Sequence, residues 1–237
     1  MTAPDIVFPV RQGERNEELR YALRSLRLLP HGQVWLAGHK PRWVSDEVRH
    51  VAVKQTGSKY ANSLRNLLTA CQQIQLSEEF VYWNDDMFLL EPIDRVPVLH
   101  RGTLADHVAA YYTSRHSRYV KGLAATDEVL RRLLPGREPL SYELHTPMTM
   151  DKAGVLAAEG RCKASQANAA LQIKSAYGNL HEVGGEYAQD VKVFKPEPVW
   201  DRGPTPFVST IDGIWGRHPA VTFVQELHSE PSPYERT

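Results

Sequence analysis

The first ninety residues alternate between short apolar runs and amphipathic helical patterns, and this alternation restricts the fold more than any other feature. Apolar or alternating runs predict strands at residues 6–10, 33–38, 48–53, 80–83 and 87–90. Stripes of leucine predict a helix that Asn16 caps, with Glu17 and Glu18 in its first turn, and a second helix at residues 59–74. This order predicts an α/β fold with a mixed, mostly parallel sheet flanked by helices.

The second half of the chain is less regular. Helical patterns cover residues 117–134, 165–177 and 219–228, and Gly178 and Asn179 are expected to end the second of these helices. Residues 195–206 are rich in proline and glycine and predict a surface loop. We find no internal repeat, and we expect one domain that spans residues 1–237.

The composition restricts the partners only weakly. Lys plus Arg and Asp plus Glu both number 28 among 237 residues, so no bulk basic field points to nucleic acid or anionic membrane, although a local basic groove stays possible. Cys71 and Cys162 lack metal-ligand spacing, and a buried apolar role is expected for Cys71. No signal peptide or membrane span is predicted, and we expect a cytoplasmic protein.

Three polar residues, Asn84, Asp85 and Asp86, lie between two of the predicted strands. Ligands of α/β sheets bind outside the carboxyl ends of the parallel strands, and these residues follow one such end. Two adjacent carboxylates can hold Mg²⁺ or Mn²⁺, and such a cation can bridge to a diphosphate. We expect one aspartate to face the metal and the other to orient the loop or contact ribose. A solvated turn is the alternative interpretation, since Asn and Asp are common in turns.

His145 is the candidate general base, because histidine can accept a proton from an acceptor hydroxyl near neutral pH. A structural histidine bonded to backbone groups is the alternative. Basic residues that could bind phosphate oxygens occur after the first strand and near the helices of the second half. They are Arg11, Arg15, Arg20, Arg161, Lys163 and Lys174. A solvated helix face is the alternative for the last three.

Four blocks of the chain carry a resemblance to a known family. Residues 5–8 followed by 16–26 (NEELRYALRSL) are similar to an opening strand and an "NEELRYSLRS" helix, and Asn62-Ser63 followed by residues 80–89 (FVYWNDDMFL) is similar to "NS…FIYFNDDMFL". His145-Thr146-Pro147 matches a His-x-Pro segment, and residues 208–212 and 231–235 resemble the closing block. The chain thus resembles the Stealth family, the sugar-phosphate transferases of capsule synthesis, whose relatives include the lysosomal GlcNAc-1-phosphotransferase.

The resemblance implies a GT-A-like (Rossmann-like) nucleotide-diphospho-sugar transferase fold. Residues 1–95 would form the nucleotide- and metal-binding half, and residues 96–237 the acceptor and catalytic half. It also implies a divalent metal, Mg²⁺ or Mn²⁺, at Asp85 and Asp86. The catalytic residues would be His145, Asp86 and Lys163, the nearest counterpart of a family arginine. The substrate-binding residues would be Arg11, Arg20, Asn62, Asn84 and Asp212.

The implied reaction uses a nucleotide-diphospho-sugar donor and a hydroxyl acceptor on a glycan, a protein or a modified nucleic-acid base. The family's first strand continues into a "TWVDG" or "TWVNG" segment, whereas this chain reads Pro9-Val10-Arg11-Gln12-Gly13, without an acid before the glycine. Two reactions therefore stay open: transfer of a sugar 1-phosphate, and ordinary glycosyl transfer that releases a nucleoside diphosphate. A non-catalytic carbohydrate- or nucleotide-binding module is a further alternative, as is a metal-dependent nuclease or phosphohydrolase.

Overall fold

The computed structural model describes residues 3–111, 116–163, 171–195 and 199–236. Its centre is a five-stranded sheet that consists of β1 (Asp5–Val10), β2 (Val34–Gly38), β3 (Arg49–Ala52), β4 (Glu79–Tyr82) and β7 (Met148–Asp151). The order of the strands in the sheet is β3-β2-β1-β4-β7. The first four run parallel, and β7 pairs antiparallel with β4. The α/β prediction with a mostly parallel sheet is confirmed.

The predicted elements of the first ninety residues are confirmed with small shifts of their ends. The two helices are α1 (Glu17–Ser25) and α2 (Lys59–Cys71). Strand β5 (Met87–Leu89) follows Asn84, Asp85 and Asp86, which form the acidic turn. The Asn16 side chain accepts a hydrogen bond from the Leu19 amide, which satisfies one of the unpaired donors of the first helical turn. A 3-10 turn, Leu26–Leu28, extends α1.

Alternate residues of the central strands face two separate cores. On β1, Ile6, Phe8 and Val10 pack into a cluster with α1, whereas Val7 packs into a cluster with α2 on the other face. This period of two is the one that a strand imposes on its side chains. Cys71 and Cys162 both belong to the second cluster, and burial raises the pKa of the Cys71 thiol to about 12. The apolar role predicted for Cys71 is confirmed.

The second half adds helices and short strands around this sheet. The helices are α3 (Leu104–Ala110), α4 (Arg118–Leu133), α5 (Lys152–Lys163), α6 (Ile173–Leu180) and α7 (Pro219–Leu227). The short strands are β6 (Leu99–His100), β8 (Glu186–Tyr187) and β9 (Phe207–Ser209), of which β9 pairs antiparallel with β5. Residues 195 and 199–206 contain no helix or strand, as predicted for this loop, whose residues 196–198 lie outside the described part. In the described ranges, no helix combines the length and apolar character that crossing a bilayer requires.

The predicted end of the helix at residues 165–177 was wrong, and residues 164–170 lie outside the described part of the chain. Its described portion, α6, continues through Gly178 and Asn179 to Leu180. Gly178 is needed for close packing instead, since a Cβ there would lie 2.5 Å from the ring of Tyr142. The Asn179 side chain accepts a hydrogen bond from the Leu140 N–H at 2.8 Å and donates one to the Leu140 carbonyl at 2.7 Å. It thus joins α6 to the loop that contains Leu140.

The C-terminal segment is fastened to α1 by a buried ion pair. The Arg24 guanidinium donates to both carboxylate oxygens of Glu235, at 2.7 and 2.9 Å, and Arg20 donates to the same carboxylate at 2.7 Å. Burial alone would raise the pKa of Glu235. The hydrogen bonds from Arg24, the Ser232 amide and Arg20 outweigh it and hold this pKa at about 2.

We expect Glu235→Gln to lower the free energy of unfolding at pH 7 by roughly 2–3 kcal/mol. The pKa of Glu235 is lower in the folded chain, so its stabilisation is complete above the unfolded pKa of about 4.3 and is lost as the pH falls towards 2. The difference between wild type and variant should therefore shrink between about pH 4.5 and 2 in urea titrations. Glu230→Gln, on the exposed surface of the same segment, is the matched control. An equal loss of unfolding free energy in Glu235→Gln and Glu230→Gln would refute the stabilising role of the Glu235 ion pair.

Candidate functional site

The acidic turn lies at the carboxyl end of β4 and is held from both sides. The Trp83 amide donates to the carbonyl of Val7, and its buried indole donates to the carbonyl of Met87 at 2.9 Å. The Met87 amide in turn donates to Asn84. These bonds close the chain around Asn84, Asp85 and Asp86, so the two carboxylates are presented at one edge of the sheet.

This edge is where the strand order reverses. The connection from β1 leads to β2 on one side, whereas β4 lies on the other side of β1. Such a switch point leaves a crevice at the carboxyl ends of the strands, which is the usual ligand site of an open α/β sheet. A cavity of about 600 Å³ opens there. Its lining includes Arg11, Glu18, Lys59, Tyr60, Asn84, Asp85, Asp86, Tyr111, Tyr119, His145, Lys192 and Phe194.

The two aspartates have different partners. Asp85 accepts a hydrogen bond from the side-chain Nδ2 of Asn16 at 2.8 Å, so the residue that caps α1 also orients this carboxylate. One oxygen of Asp86, Oδ2, contacts the ammonium of Lys192, whose side chain is 6% exposed. The other, Oδ1, is buried and has no hydrogen-bond partner within the described chain.

The acidic turn fits a metal that arrives together with a phosphate ligand. No group of three His, Cys, Asp or Glu side chains in the described residues could hold a metal by itself. Mg²⁺, however, is usually bound through one or two carboxylates, with substrate phosphates and water completing the octahedron. The unpartnered Oδ1 of Asp86 is a suitable ligand atom, and Asp85 supplies a second carboxylate beside it.

His145 reaches the same edge because β7 is antiparallel. Tyr82 at the end of β4 pairs with Met148 at the start of β7, so the segment before β7 lies beside the acidic turn. The His145 Nδ1 is 2.9 Å from Asp190 Oδ2, and the His145 amide donates to Asp190 Oδ1 at 3.0 Å. Asp190 thus fixes the ring and the backbone of the candidate base.

The charge state of Asp190 suits this role. Burial alone would raise its pKa, but the hydrogen bonds from the ring and the amide of His145, together with Arg101 at 3.5 Å, hold the pKa well below its usual range. A carboxylate on Nδ1 leaves Nε2 to exchange a proton with a ligand, which is the arrangement that a general base requires. Nε2 has no hydrogen-bond partner in the described part of the chain, and His145 lines the cavity.

A buried lysine supports the loop that carries His145. The Lys174 ammonium donates to the carbonyl oxygens of Leu144 and Thr146, on either side of the histidine. Burial lowers the pKa of Lys174, which the nearby Glu143 and Asp190 carboxylates oppose. The ammonium is thus used within the protein, which is a different role from the phosphate binding considered for Lys174 above.

Aromatic side chains form another wall of the cavity. Tyr60 stacks on Tyr119 with ring centroids 6.3 Å apart, and Tyr119 meets Tyr111 edge-on at 6.2 Å. His107 lies behind them with its Nδ1 2.7 Å from the Ser141 hydroxyl. Burial, aided by the charge of Arg101, lowers the pKa of His107 to about 3, so this ring is neutral at physiological pH. The wall can stack against a flat base or a sugar face.

The other residues predicted for the site are spread more widely. Arg11 lines the cavity, whereas Arg20 lies over the Trp43 ring at 4.2 Å and bonds Glu235. The Asn62 side chain accepts a hydrogen bond from the Gly57 N–H and donates one to the Gly57 carbonyl, so it closes the loop before α2. Lys163 ends α5, and Asp212 begins the 3-10 turn Asp212–Ile214; the side chains of both lie outside the described part.

Sequence reasoning missed Asp190 and Lys192. They belong to the short alternating run Asp190-Val191-Lys192-Val193, in which Val191 and Val193 pack against the first core. Residues two apart in an extended segment share a face, so Asp190 and Lys192 both point towards the site side. This alternation is the sequence signal that could have indicated them.

The comparisons with known proteins identify the fold. No family profile and no curated protein matches the sequence. Among solved structures, the chain is similar to the galactosyltransferase LgtC, crystallised in complex with donor and acceptor sugar analogues, with a TM-score of 0.50 and 11% identity. The match covers 96% of each chain. The chain has the GT-A fold.

Two buried lysines allow the support of His145 to be tested. Lys174→Met should lower the free energy of unfolding by roughly 1–3 kcal/mol, because two carbonyls lose their donor. It should also speed hydrogen exchange at the His145 amide. Lys152 is the matched control, since its ammonium donates to the carbonyls of Leu76 and Gln73 at 2.8 and 3.4 Å, at the other edge of the sheet. Faster exchange at His145 in Lys152→Met as well would contradict this role.

Proposed function

We propose that this chain is a metal-dependent transferase that uses a nucleotide-diphospho-sugar donor and moves a sugar 1-phosphate or a sugar to an acceptor hydroxyl. The observation that carries the proposal is the presence of His145, held by Asp190, and the pair Asp85 and Asp86 around one cavity at the switch point of a GT-A fold. Such a transfer needs a base for the acceptor hydroxyl, and carboxylates that hold a metal against the diphosphate of the donor.

The structural neighbour supports the class of substrate. LgtC is a galactosyltransferase whose crystals contained donor and acceptor sugar analogues. The cavity of this chain suits such ligands, since cationic side chains, an acidic turn and an aromatic wall line it. The identity of 11% is too low for the neighbour to assign any residue of this chain a role.

The sugar-phosphate version is the first choice because of the FVYWNDDMFL block and the His-Thr-Pro segment. In this version His145 accepts the proton of the acceptor hydroxyl, and the oxygen forms a bond to the β-phosphorus of the donor. The bond between that phosphorus and the bridging oxygen breaks, and a nucleoside monophosphate leaves. When bound at Asp85 and Asp86, Mg²⁺ or Mn²⁺ would supply charge that neutralises the departing phosphate.

The glycosyl version differs in the bond that breaks. The acceptor oxygen then bonds to the anomeric carbon, the bond between that carbon and the β-phosphate oxygen breaks, and a nucleoside diphosphate leaves. Residues 9–13 lack the family's acid before the glycine and contain Arg11, and this is the observation that favours it, because a cavity-lining cation suits a diphosphate product. Both versions use His145 in the same way when the acceptor attacks directly.

The products distinguish the two reactions. Purified chain, Mn²⁺, a panel of sugar nucleotides and short hydroxyl acceptors would be incubated, and the nucleotides separated by chromatography. A monophosphate product identifies sugar 1-phosphate transfer, and a diphosphate product identifies glycosyl transfer. Binding without turnover across the panel would favour a non-catalytic module. Neither binding nor turnover would refute the proposal.

We expect His145→Gln to lower kcat by roughly 10²–10⁴-fold, the range for loss of a general base. Asp190→Asn should lower kcat less, because the ring stays in place but loses the carboxylate that holds its tautomer. His181→Gln is the control, since this histidine bonds the Gly154 carbonyl and does not line the cavity. Thermal unfolding of each variant excludes misfolding. A His145→Gln enzyme with wild-type kcat would rule out the histidine as the base.

Asp86→Asn should weaken Mn²⁺ binding at least about tenfold, because an amide oxygen is a poorer ligand than a carboxylate. Electron paramagnetic resonance of free Mn²⁺ measures this affinity directly, with and without a nucleoside diphosphate. The exposed Asp46, which pairs with Arg236 at 2.8 Å, gives the control Asp46→Asn. Unchanged Mn²⁺ affinity in Asp86→Asn would place the metal elsewhere.

A further inference from the structure

Lys192 is a charged residue of the cavity to which neither the sequence patterns nor the proposed chemistry assigns a role. Its ammonium contacts Asp86 Oδ2, and its side chain is almost fully buried. The neighbouring oxygen of the same carboxylate is buried without a partner in the part of the chain described here. One carboxylate therefore holds a protein cation on one oxygen and offers the other to a ligand.

The backbone around Lys192 is fixed on both sides. Lys192 forms a bridge with Ser209 at the end of β9, the Val193 amide donates to Ser209 at 2.8 Å, and the Ser209 amide donates to Val191 at 3.2 Å. The next residue, Thr210, donates through its amide to the Asp86 carbonyl at 3.1 Å. The ammonium and the acidic turn are thus parts of one hydrogen-bonded unit, and the position of Lys192 needs no ligand to establish it.

Another lysine in the same cavity has a different arrangement. Lys59 starts α2 and lies over the Tyr60 ring, with its Nζ 5.1 Å from the ring centroid. Both lysines line the cavity and carry the same charge, but Lys192 is the one in contact with Asp86. Comparing substitutions of Lys59 and Lys192 therefore distinguishes a specific effect of the lysine at the acidic turn from the effect of any positive charge in the cavity.

We propose that Lys192 is a protein-borne cation that binds the diphosphate of the donor beside the metal, with Asp86 shared between the two cations. This inference rests on the proposed function for the identity of the ligand. A fixed ammonium costs no reorganisation when a phosphate arrives, so the diphosphate has a cationic partner even before the metal binds. Lys192 then contributes to binding the donor, and Asp86 contacts this lysine through one oxygen and would hold the metal through the other.

The test uses inorganic pyrophosphate as a diphosphate without base or sugar, and EDTA to remove divalent metal. Isothermal titration calorimetry on the full chain should show that wild type binds pyrophosphate under these conditions. Lys192→Met should weaken the binding at least about tenfold, and Lys192→Arg should stay within about threefold of wild type. Lys59→Met should lose clearly less than Lys192→Met.

Two further variants guard against damage to the fold. Asp86→Asn removes a negative charge and frees the ammonium, so it should bind pyrophosphate in EDTA at least as well as wild type. The double variant Asp86→Asn/Lys192→Met leaves no lone buried charge, and it should unfold like wild type while binding as weakly as Lys192→Met.

The inference is overturned if wild type does not bind pyrophosphate in EDTA. It is also overturned if Lys192→Met binds pyrophosphate as well as wild type, or if Lys59→Met and Lys192→Met lose the same affinity. A loss of affinity in Asp86→Asn as large as in Lys192→Met would overturn it too. These outcomes are independent of turnover. A chain that binds pyrophosphate through Lys192 but processes no sugar nucleotide would refute the proposed function alone. A transferase whose Lys192→Met variant binds pyrophosphate normally would refute this inference alone.

Discussion

The antiparallel pairing of β4 with β7 is the constraint on which the site depends. β4 ends at the acidic turn, and Tyr82 pairs with Met148, the first residue of β7. A four-residue strand spans roughly 13 Å at about 3.3 Å per residue, so a parallel β7 would place His145 at the opposite edge of the sheet. Reversal of one strand thus brings the candidate base and the two carboxylates to the same crevice.

The remaining parts of the site depend on hydrogen bonds made far along the chain. Antiparallel pairing of β9 with β5 begins where the acidic turn ends, and Ser209 pairs with Met87. The segment with Asp190 and Lys192 then lies against Ser209. One ladder therefore supplies both the partner of His145 and the partner of Asp86. This explains why the second half looks irregular in sequence, since its short strands are paired with distant segments.

The parts that local patterns determine were predictable. Leucine stripes, the Asn16 cap and period-two runs specify α1, α2 and the parallel strands, because each signal acts within a few residues. Helix α5 and strand β7 were not predicted. The predicted helix end at Gly178 is wrong, because the lack of a side chain at this residue serves contact with the Tyr142 ring. Such a contact joins residues 36 positions apart, and no local signal reports it.

The same distinction applies to the site. Asp85 and Asp86 could be named from the sequence because they follow a predicted strand, and His145 because of its side-chain chemistry and the His-x-Pro segment of the resemblance. The alternation of residues 190–193 indicates only that Asp190 and Lys192 share a face, and it does not identify their partners, which lie 45 and 106 residues away. Arg20 and Asn62 matched blocks of the resemblance, yet their side chains bond Glu235 and Gly57. A matching block can therefore reflect the needs of the fold as well as those of the ligand.

The charged side chains of the cavity bear on the ligand that it can hold. Among the described residues that line it, Arg11, Lys59 and Lys192 are basic, and Glu18, Asp85 and Asp86 are acidic. Their formal charges cancel, and a sugar nucleotide with two diphosphate charges plus one divalent cation is neutral as well. Burying a neutral complex in a neutral cavity avoids the large penalty of enclosing uncompensated charge. An acid in place of Arg11 would shift this balance by two charges towards the negative, against a phosphate ligand. The formal charges of Arg11 and Lys192 thus equal in number those of the two carboxylates of the acidic turn, with opposite sign.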